Sequence, residues 1–246
     1  MNLLEFITIA TTGNAVDFGG ISTLFRYGAG ISNSTRGLIA GGYQGGGASG
    51  TKNVIQFITI ASTGDTADFG DMVADSGGGI SGAGSCQSST RGITFGGAGY
   101  NPSQINEINH ITIGTLGNSV DFGDLSVAKE YLQGVSSSTR GVVAGGYQDS
   151  PGFTSTNVIE FITIASTGNA VDFGDLITAA RLPGSSGGSN KIRGVFVGAG
   201  VHPSYFNTIE FVTIATTGNS SDFGDISTGV TPYGSVAVSD SHGGLS

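Results

Sequence analysis

The chain has no tryptophan, one cysteine, two methionines and five prolines, and only 11 % of its 246 residues are charged. Each shortage excludes something. A lone cysteine leaves no internal disulfide. Low charge beside a hydrophobic share of 37 % excludes a disordered chain, which would be charge-rich and poor in large apolar residues. No apolar run approaches the ~18 residues that span a bilayer, and no basic-then-apolar leader precedes the first patterned segment, so neither membrane insertion nor a signal peptide is expected. Nine basic residues face 18 acidic ones, and the resulting net charge of −9 disfavours nucleic acid and anionic membrane as partners.

What the chain has in excess is glycine, 45 of 246 residues, more than twice the average share of about 7 %. Glycine costs about 1 kcal/mol at a helix interior position, which excludes a helical bundle and leaves many short strands. Self-similarity organises them. The segment NLLEFITIATTGNAVDFGG from Asn2 returns, with small changes, from Asn53, Asn106, Asn157 and Asn207, at steps of 51, 53, 51 and 50 residues. A second element fills the gaps: STRGLIAGGY from Ser34, STRGITFGGAGY from Ser89, STRGVVAGGY from Ser138 and KIRGVFVGAG from Lys191. Each unit divides into four short strands: a small polar one (YGAGISNS at Tyr27), one like RGVVAGGY, one like VIEFITI and one like AVDFGDL. Thr-Gly-Asn at Thr12, Thr167 and Thr217 marks a tight turn between the third and fourth.

Four strands in about 50 residues is one propeller blade, and this period is the kelch value. Ala128-Lys129, Gly145-Gly146-Tyr147 and Val158-Ile159-Glu160-Phe161 stand in order where a kelch unit has its A-R pair, its double glycine with Tyr and its V-x-x-Y core. The chain therefore resembles kelch repeats over its whole length, with Asp-Phe of the repeated DFG where that family has Trp. Its DFGDL, SSSTRG and AGGY repeats are more closely similar to those of tail-fibre and other structural proteins of marine bacteriophages. The expected fold is all-β, one domain over residues 1–246: a five-bladed β-propeller of four-stranded antiparallel blades. Because Met1 is followed at once by a third-strand motif, the N- and C-terminal strands are expected to share one blade, its outer strands from residues 2–20 and its inner strands from 231–246. Closure of that kind removes exposed sheet edges.

Catalytic chemistry finds no support in the pattern. DFG recurs at Asp17, Asp68, Asp121, Asp172 and Asp222 without a kinase catalytic loop or nucleotide lysine, so its Phe is expected to fill the space between blades and its Asp to bond backbone or arginine. The recurring Arg36, Arg91, Arg140 and Arg193 read as guanidinium struts between strands, and Cys86 as a buried filler. His110, His202 and His242 fall at three different repeat positions, so no metal or other cofactor is expected. A polar ring near one channel mouth is predicted from Asn33, Ser88, Ser137, Asn190 and Asp240 with Ser32, Gln87, Ser136, Ser189 and Ser239.

The seven tyrosines carry the functional signal. Loops joining strands one to two and three to four are nearly constant, whereas the other two loop classes vary from unit to unit, and all seven tyrosines lie in or beside the variable ones. Amphipathic rings on a rigid scaffold suit recognition. The candidate ligand-binding face carries Tyr43, Tyr100, Tyr147, Tyr205 and Phe206 in one loop class and Tyr27, Tyr131 and Tyr233 in the other. The expected function is non-enzymatic: a binding or structural propeller, and on the phage resemblance a virion-associated receptor-binding or tail-fibre component. Its partner would be a host-surface glycan or protein or a neighbouring virion protein, at the virion or outside the cell. The alternative is a lectin-like propeller binding carbohydrate at repeated sites on the constant face.

Overall fold

Val, Ile, Phe and Thr dominate the third strand of every unit and glycine-punctuated turns bound it, which favours strands over helices throughout. The computed structural model describes residues 2–23, 25–46, 50–73, 78–99, 103–149, 152, 154–182, 187–201, 204–227 and 237. These form twenty strands and no helix. An N-terminal ribbon pairs β1 (Leu3–Phe6) with β2 (Val16–Gly20). Four four-stranded antiparallel sheets follow. The first holds β3 (Ala29–Ser32), β4 (Arg36–Ala40), β5 (Val54–Thr59) and β6 (Ala67–Asp71). The second holds β7 (Gly84–Gln87), β8 (Arg91–Gly97), β9 (Ile105–Thr112) and β10 (Val120–Asp124). The third is interrupted by a small ribbon of β13 (Tyr147–Gln148) and β14 (Thr154–Ser155), and itself runs β11 (Gln133–Ser136), β12 (Arg140–Ala144), β15 (Val158–Thr163), β16 (Val171–Asp175). The fourth holds β17 (Gly188–Ser189), β18 (Arg193–Val201), β19 (Ser204–Thr213) and β20 (Ser221–Asp225). In all four sheets the strands neighbour one another in chain order, as a meander.

The DFG motif is a β-bulge. In the third sheet Glu160 pairs with Asp172 and Ile159 with Gly174, so Phe173 is left over between them, and the second sheet does the same at Phe122. A bulge frees one residue from the ladder and re-aims it. Here the ring turns inward and meets the aromatic opposite it edge-on: Phe161 against Phe173 at 6.0 Å between centroids, and His110 against Phe122 at 6.0 Å. The freed carbonyl faces the next unit.

That carbonyl accepts from the turn glycine of the following unit at each of four junctions: Gly64 to Phe18 (2.7 Å), Gly117 to Phe69 (2.8 Å), Gly168 to Phe122 (2.7 Å) and Gly218 to Phe173 (2.7 Å). Two residues on, a second N–H closes the joint, as Ala170 donates to the Asp124 carbonyl at 2.8 Å. The turn's own side chain adds a third bond, for Asn169 Oδ1 accepts from the Asp124 N–H at 3.0 Å and Asn118 Oδ1 from Asp71 at 2.9 Å. At these four junctions the fourth strand of the preceding unit is thus paired along its free edge. Gly123 sits at φ 146° with its Cα against the Gly168 carbonyl, which a Cβ would approach to 2.5 Å. No other residue fits there.

Further inward, Arg36 Nη1 donates to the Ile113 carbonyl at 3.0 Å, Arg91 to Ile164 at 2.9 Å and Arg140 to Ile214 at 3.0 Å, so the repeated arginines tie each sheet to the next through carbonyl groups. The core lies between consecutive sheets: Cys86, Phe95 and Phe122 of the second interdigitate with Leu132, Val143 and Ile162 of the third. Cys86 is buried there, and burial pushes its thiol pKa up. The same interface encloses an ion pair, Lys129 Nζ 2.7 Å from Glu160 Oε2 with both side chains out of solvent, while Glu160 Oε1 accepts from the Ser126 N–H at 2.8 Å.

One expectation needs adjustment: Phe18, Phe69, Phe122 and Phe173 are buried, but Phe223 is 55 % exposed because no described turn follows β20. In the predicted polar ring, Asn33 Oδ1 accepts from the Thr35 and Arg36 N–H groups, and Asn190, Ser88 and Ser137 repeat the pattern within their own turns, while Asn33 Nδ2 donates to the Ser89 carbonyl and Ser136 Oγ to the Gln87 carbonyl of neighbouring units. Asp240 and Ser239, like the predicted inner strands of the shared blade apart from Ala237, lie outside the described residues.

Phe122→Ala should lower unfolding free energy by about 3–5 kcal/mol, read by chemical denaturation. A melting transition left in place would remove the packing role given to the bulge.

Candidate functional site

The variable loops meet where the first, second and third sheets converge. Arg26 and Tyr43 exchange backbone bonds (2.9 and 2.7 Å), as Ser81 and Ala98 do one sheet further on (3.0 and 2.7 Å) and Glu130 and Tyr147 two sheets on (3.0 and 2.8 Å), so the two variable loop classes of these sheets are stitched together. Neighbouring sheets are joined by a backbone chain in which Gly82 donates to the Tyr27 carbonyl (2.9 Å), Tyr131 to Gly82 (2.7 Å) and Leu182 to Tyr131 (2.7 Å). These equivalent positions share one conformation: φ is 61° at Tyr27, 65° at Gly82 and 58° at Tyr131. Left-handed backbone is natural for glycine and strained for tyrosine, and such strain concentrates at functional sites.

A pocket of about 430 Å³ opens here. Its aromatic wall is Tyr27, Tyr43 and Tyr131; its polar groups come from Arg26, Thr51, Ser81, Ser103, Glu130 and Asp149. Tyr27 and Tyr131 meet edge-on with centroids 5.8 Å apart, across Gly82, where a side chain would press on the Tyr131 ring. The Arg26 guanidinium lies over both Tyr27 and Tyr43, at 5.3 and 5.1 Å. Buried Gln104 fixes the far rim, its amide donating to the Tyr147 carbonyl at 3.0 Å and accepting from the Asp149 N–H at 2.7 Å, while Ser103 Oγ donates to Asp149 Oδ2 at 2.7 Å. Burial pushes the Glu130 carboxyl up to about 7; the Gln104 amide and Arg181 oppose the rise and Asp149 adds to it.

Of the eight predicted site residues, the structure brings Tyr27, Tyr43 and Tyr131 into this pocket. Tyr147 stands outside its wall, covered by Arg181 at 3.4 Å from its centroid. Phe206 is half-buried and packs against the apolar core of the third and fourth sheets. Tyr205 is on β19, and Tyr100 and Tyr233 lie outside the described residues. Reasoning from sequence missed Arg26, Glu130 and Asp149. The signal for the first two was present, since Arg26-Tyr27 and Glu130-Tyr131 occupy matching places with opposite charge. Among the described residues no three His, Cys, Asp or Glu side chains form a metal-ligating group. No protein-family model matches the chain, and no curated protein sequence is similar to it.

Glu130 supplies a pH test. Its folded pKa of about 7 exceeds the ordinary 4.5, so its contribution to stability is full below pH 4.5 and is lost as pH rises through 7. Glu130→Gln should therefore melt above the native protein at about pH 8.5 and close to it at about pH 4, by up to roughly 3 kcal/mol at the higher pH. Equal offsets at both pH values would contradict the burial assigned to this carboxyl.

Proposed function

We propose that this protein is a non-enzymatic binding module, a five-bladed β-propeller that takes its ligand in the pocket of the variable face. The observation carrying the functional half is that pocket's singularity. Its two strained tyrosines have Gly82 and Leu182 at the corresponding places of the other two four-stranded sheets, so among the described residues it is built once, by three units that differ. An asymmetric ligand requires that. The repeat resemblance supports a setting on a virion, as a receptor-binding or tail-fibre component whose ligand is a host-surface glycan or protein or a neighbouring virion protein.

Ring closure rests on matching vacant halves. Among the described residues, β20 presents Phe223 exposed and Gly224 with open space where a Cβ would stand, while the Thr12-Gly13-Asn14 turn of the N-terminal ribbon donates to no bulge carbonyl of the kind the other four turns meet. Arg193 stacks on Phe211 at 4.7 Å, and continuing the arginine series would take it to the carbonyl of Ile9, whose side chain is 65 % exposed where Ile113, Ile164 and Ile214 are buried. Ala237 lies beside Gly188 of β17, where the next inner strand is due. Closure joins all three.

Asn14→Cys with Asp225→Cys tests closure, using Asn169→Cys with Asp124→Cys as a positive control. Oxidation should give an intramolecular cross-link in both; an intermolecular link or none in the first pair alone would open the ring. For function, Tyr43→Ala should abolish capture of host cells or of the purified partner, whereas Ser89→Arg with Ser138→Arg on the constant face should leave it intact. The reverse result would favour the repeated-site lectin reading.

A further inference from the structure

We propose that the pocket bounded by Tyr27, Tyr43 and Tyr131 is a single saccharide site, taking a short neutral oligosaccharide. The inference rests on the binding-module reading above and names its ligand class. Three features select a sugar. The tyrosine rings offer apolar faces with polar tips, and such rings suit the alternating apolar and hydroxyl surfaces of a pyranose. Arg26, Glu130 and Asp149 line the same pocket, so donors and acceptors converge on a ligand that would be studded with hydroxyl groups. At about 430 Å³ the space is that of a small ligand. A peptide adding as a strand has no edge to join at this rim, because the backbones of Arg26 and Tyr43 already bond each other and Tyr43 also bridges to Thr51.

Charge selects a neutral one. One guanidinium faces two carboxyl groups in the pocket, and the chain as a whole carries −9, so polysulfated or polycarboxylated glycans are repelled. A cationic ligand is disfavoured by Arg26, whose guanidinium already lies over Tyr27 and Tyr43. The carboxyl of Glu130 can serve a hydroxyl in either protonation state, as donor below about 7 and as acceptor above.

The repeat itself supplies the decisive variant. Gly82 occupies the place of Tyr27 and Tyr131 with the same backbone conformation, so Tyr131→Gly removes a ring while relieving left-handed strain. The full chain is titrated with maltotriose, cellotriose, mannotriose and N,N′-diacetylchitobiose, and with an aminated and a sulfated trisaccharide, by saturation-transfer NMR and by tyrosine fluorescence, which no tryptophan obscures. Saturable binding of at least one of them is expected, at one site per chain, weakened at least tenfold in Tyr131→Gly and in Asp149→Ala, with the melting temperature of Tyr131→Gly not lowered. Five sites per chain, binding indifferent to Tyr131→Gly, or binding confined to an aminated or sulfated trisaccharide would overturn the proposal. Failure of every sugar alongside host-cell capture that still depends on Tyr43 would overturn the ligand class and leave the binding-module reading standing; loss of that dependence too would remove both.

Discussion

Everything above the level of a single sheet depends on one hydrogen bond: the carbonyl of a bulged phenylalanine accepting the N–H of a glycine about 45 residues further on. An outer strand in this chain is five residues long, with its first two residues exposed and one buried, so left alone it is a marginal, aggregation-prone edge. The bulge turns that liability into a joint. By dropping Phe122 from the ladder it sends the ring into the core and leaves the carbonyl pointing at the neighbour, and the neighbour's turn arrives with two N–H groups and a side-chain acceptor. Burial of apolar surface between sheets then follows from their being held in contact, and the arginine struts repeat the same logic nearer the axis.

The joint also explains the composition. Two backbones can approach this closely only without Cβ atoms between them, so glycine is demanded where DFG ends and again in the first strands, where a Cβ at Gly134 would strike the Ser85 carbonyl. Charge is scarce because the inner and middle strands face other strands on both sides. Where polar groups enter those layers they are used for backbone satisfaction, as Gln56, Glu160 and Glu210 cap N–H groups of the preceding unit. Lys129 is the exception, an ion enclosed with its counter-ion in one junction only. Such a pair contributes little net stability but penalises any register that separates its members.

Much of the fold was legible from periodicity alone: the repeat boundaries, four strands per unit, the burial of four DFG rings and the structural use of arginine. What periodicity could not reveal is who meets whom. Thr-Gly-Asn was read as a turn and Asp-Phe-Gly as a plug between blades, but the bond that joins the two motifs across units was not, because a motif repeated in every copy does not say which copy supplies its partner. Nor could periodicity show that the oxygen atoms of Asn33 and its counterparts are taken up by the N–H groups two and three residues on. The pocket was half legible. Three of the tyrosines in the variable loops do line it, yet Arg26 joins Glu130 and Asp149 there only because loops of the first and third sheets meet, and the matching Arg26-Tyr27 and Glu130-Tyr131 pairs do not by themselves show that convergence. Phe206, inside β19, pairs with Ala199, a register its place in a variable loop did not reveal.

Each joint has two unlike sides, a bulge that accepts and a turn that donates, so units can be strung together in one polarity only. An in-frame duplication of a whole unit would carry both sides with it and create a further joint of the same kind, with no compensating change elsewhere. The chemistry of the joint thus sets no limit on the number of units. That limit comes from geometry, the angle each sheet makes with the next. Evolution of such a chain by copying is therefore mechanically simple, and divergence is cheap in the loops of one face, where the Tyr27 and Tyr131 positions of two units became glycine and leucine in others without disturbing the inter-sheet backbone bond they share.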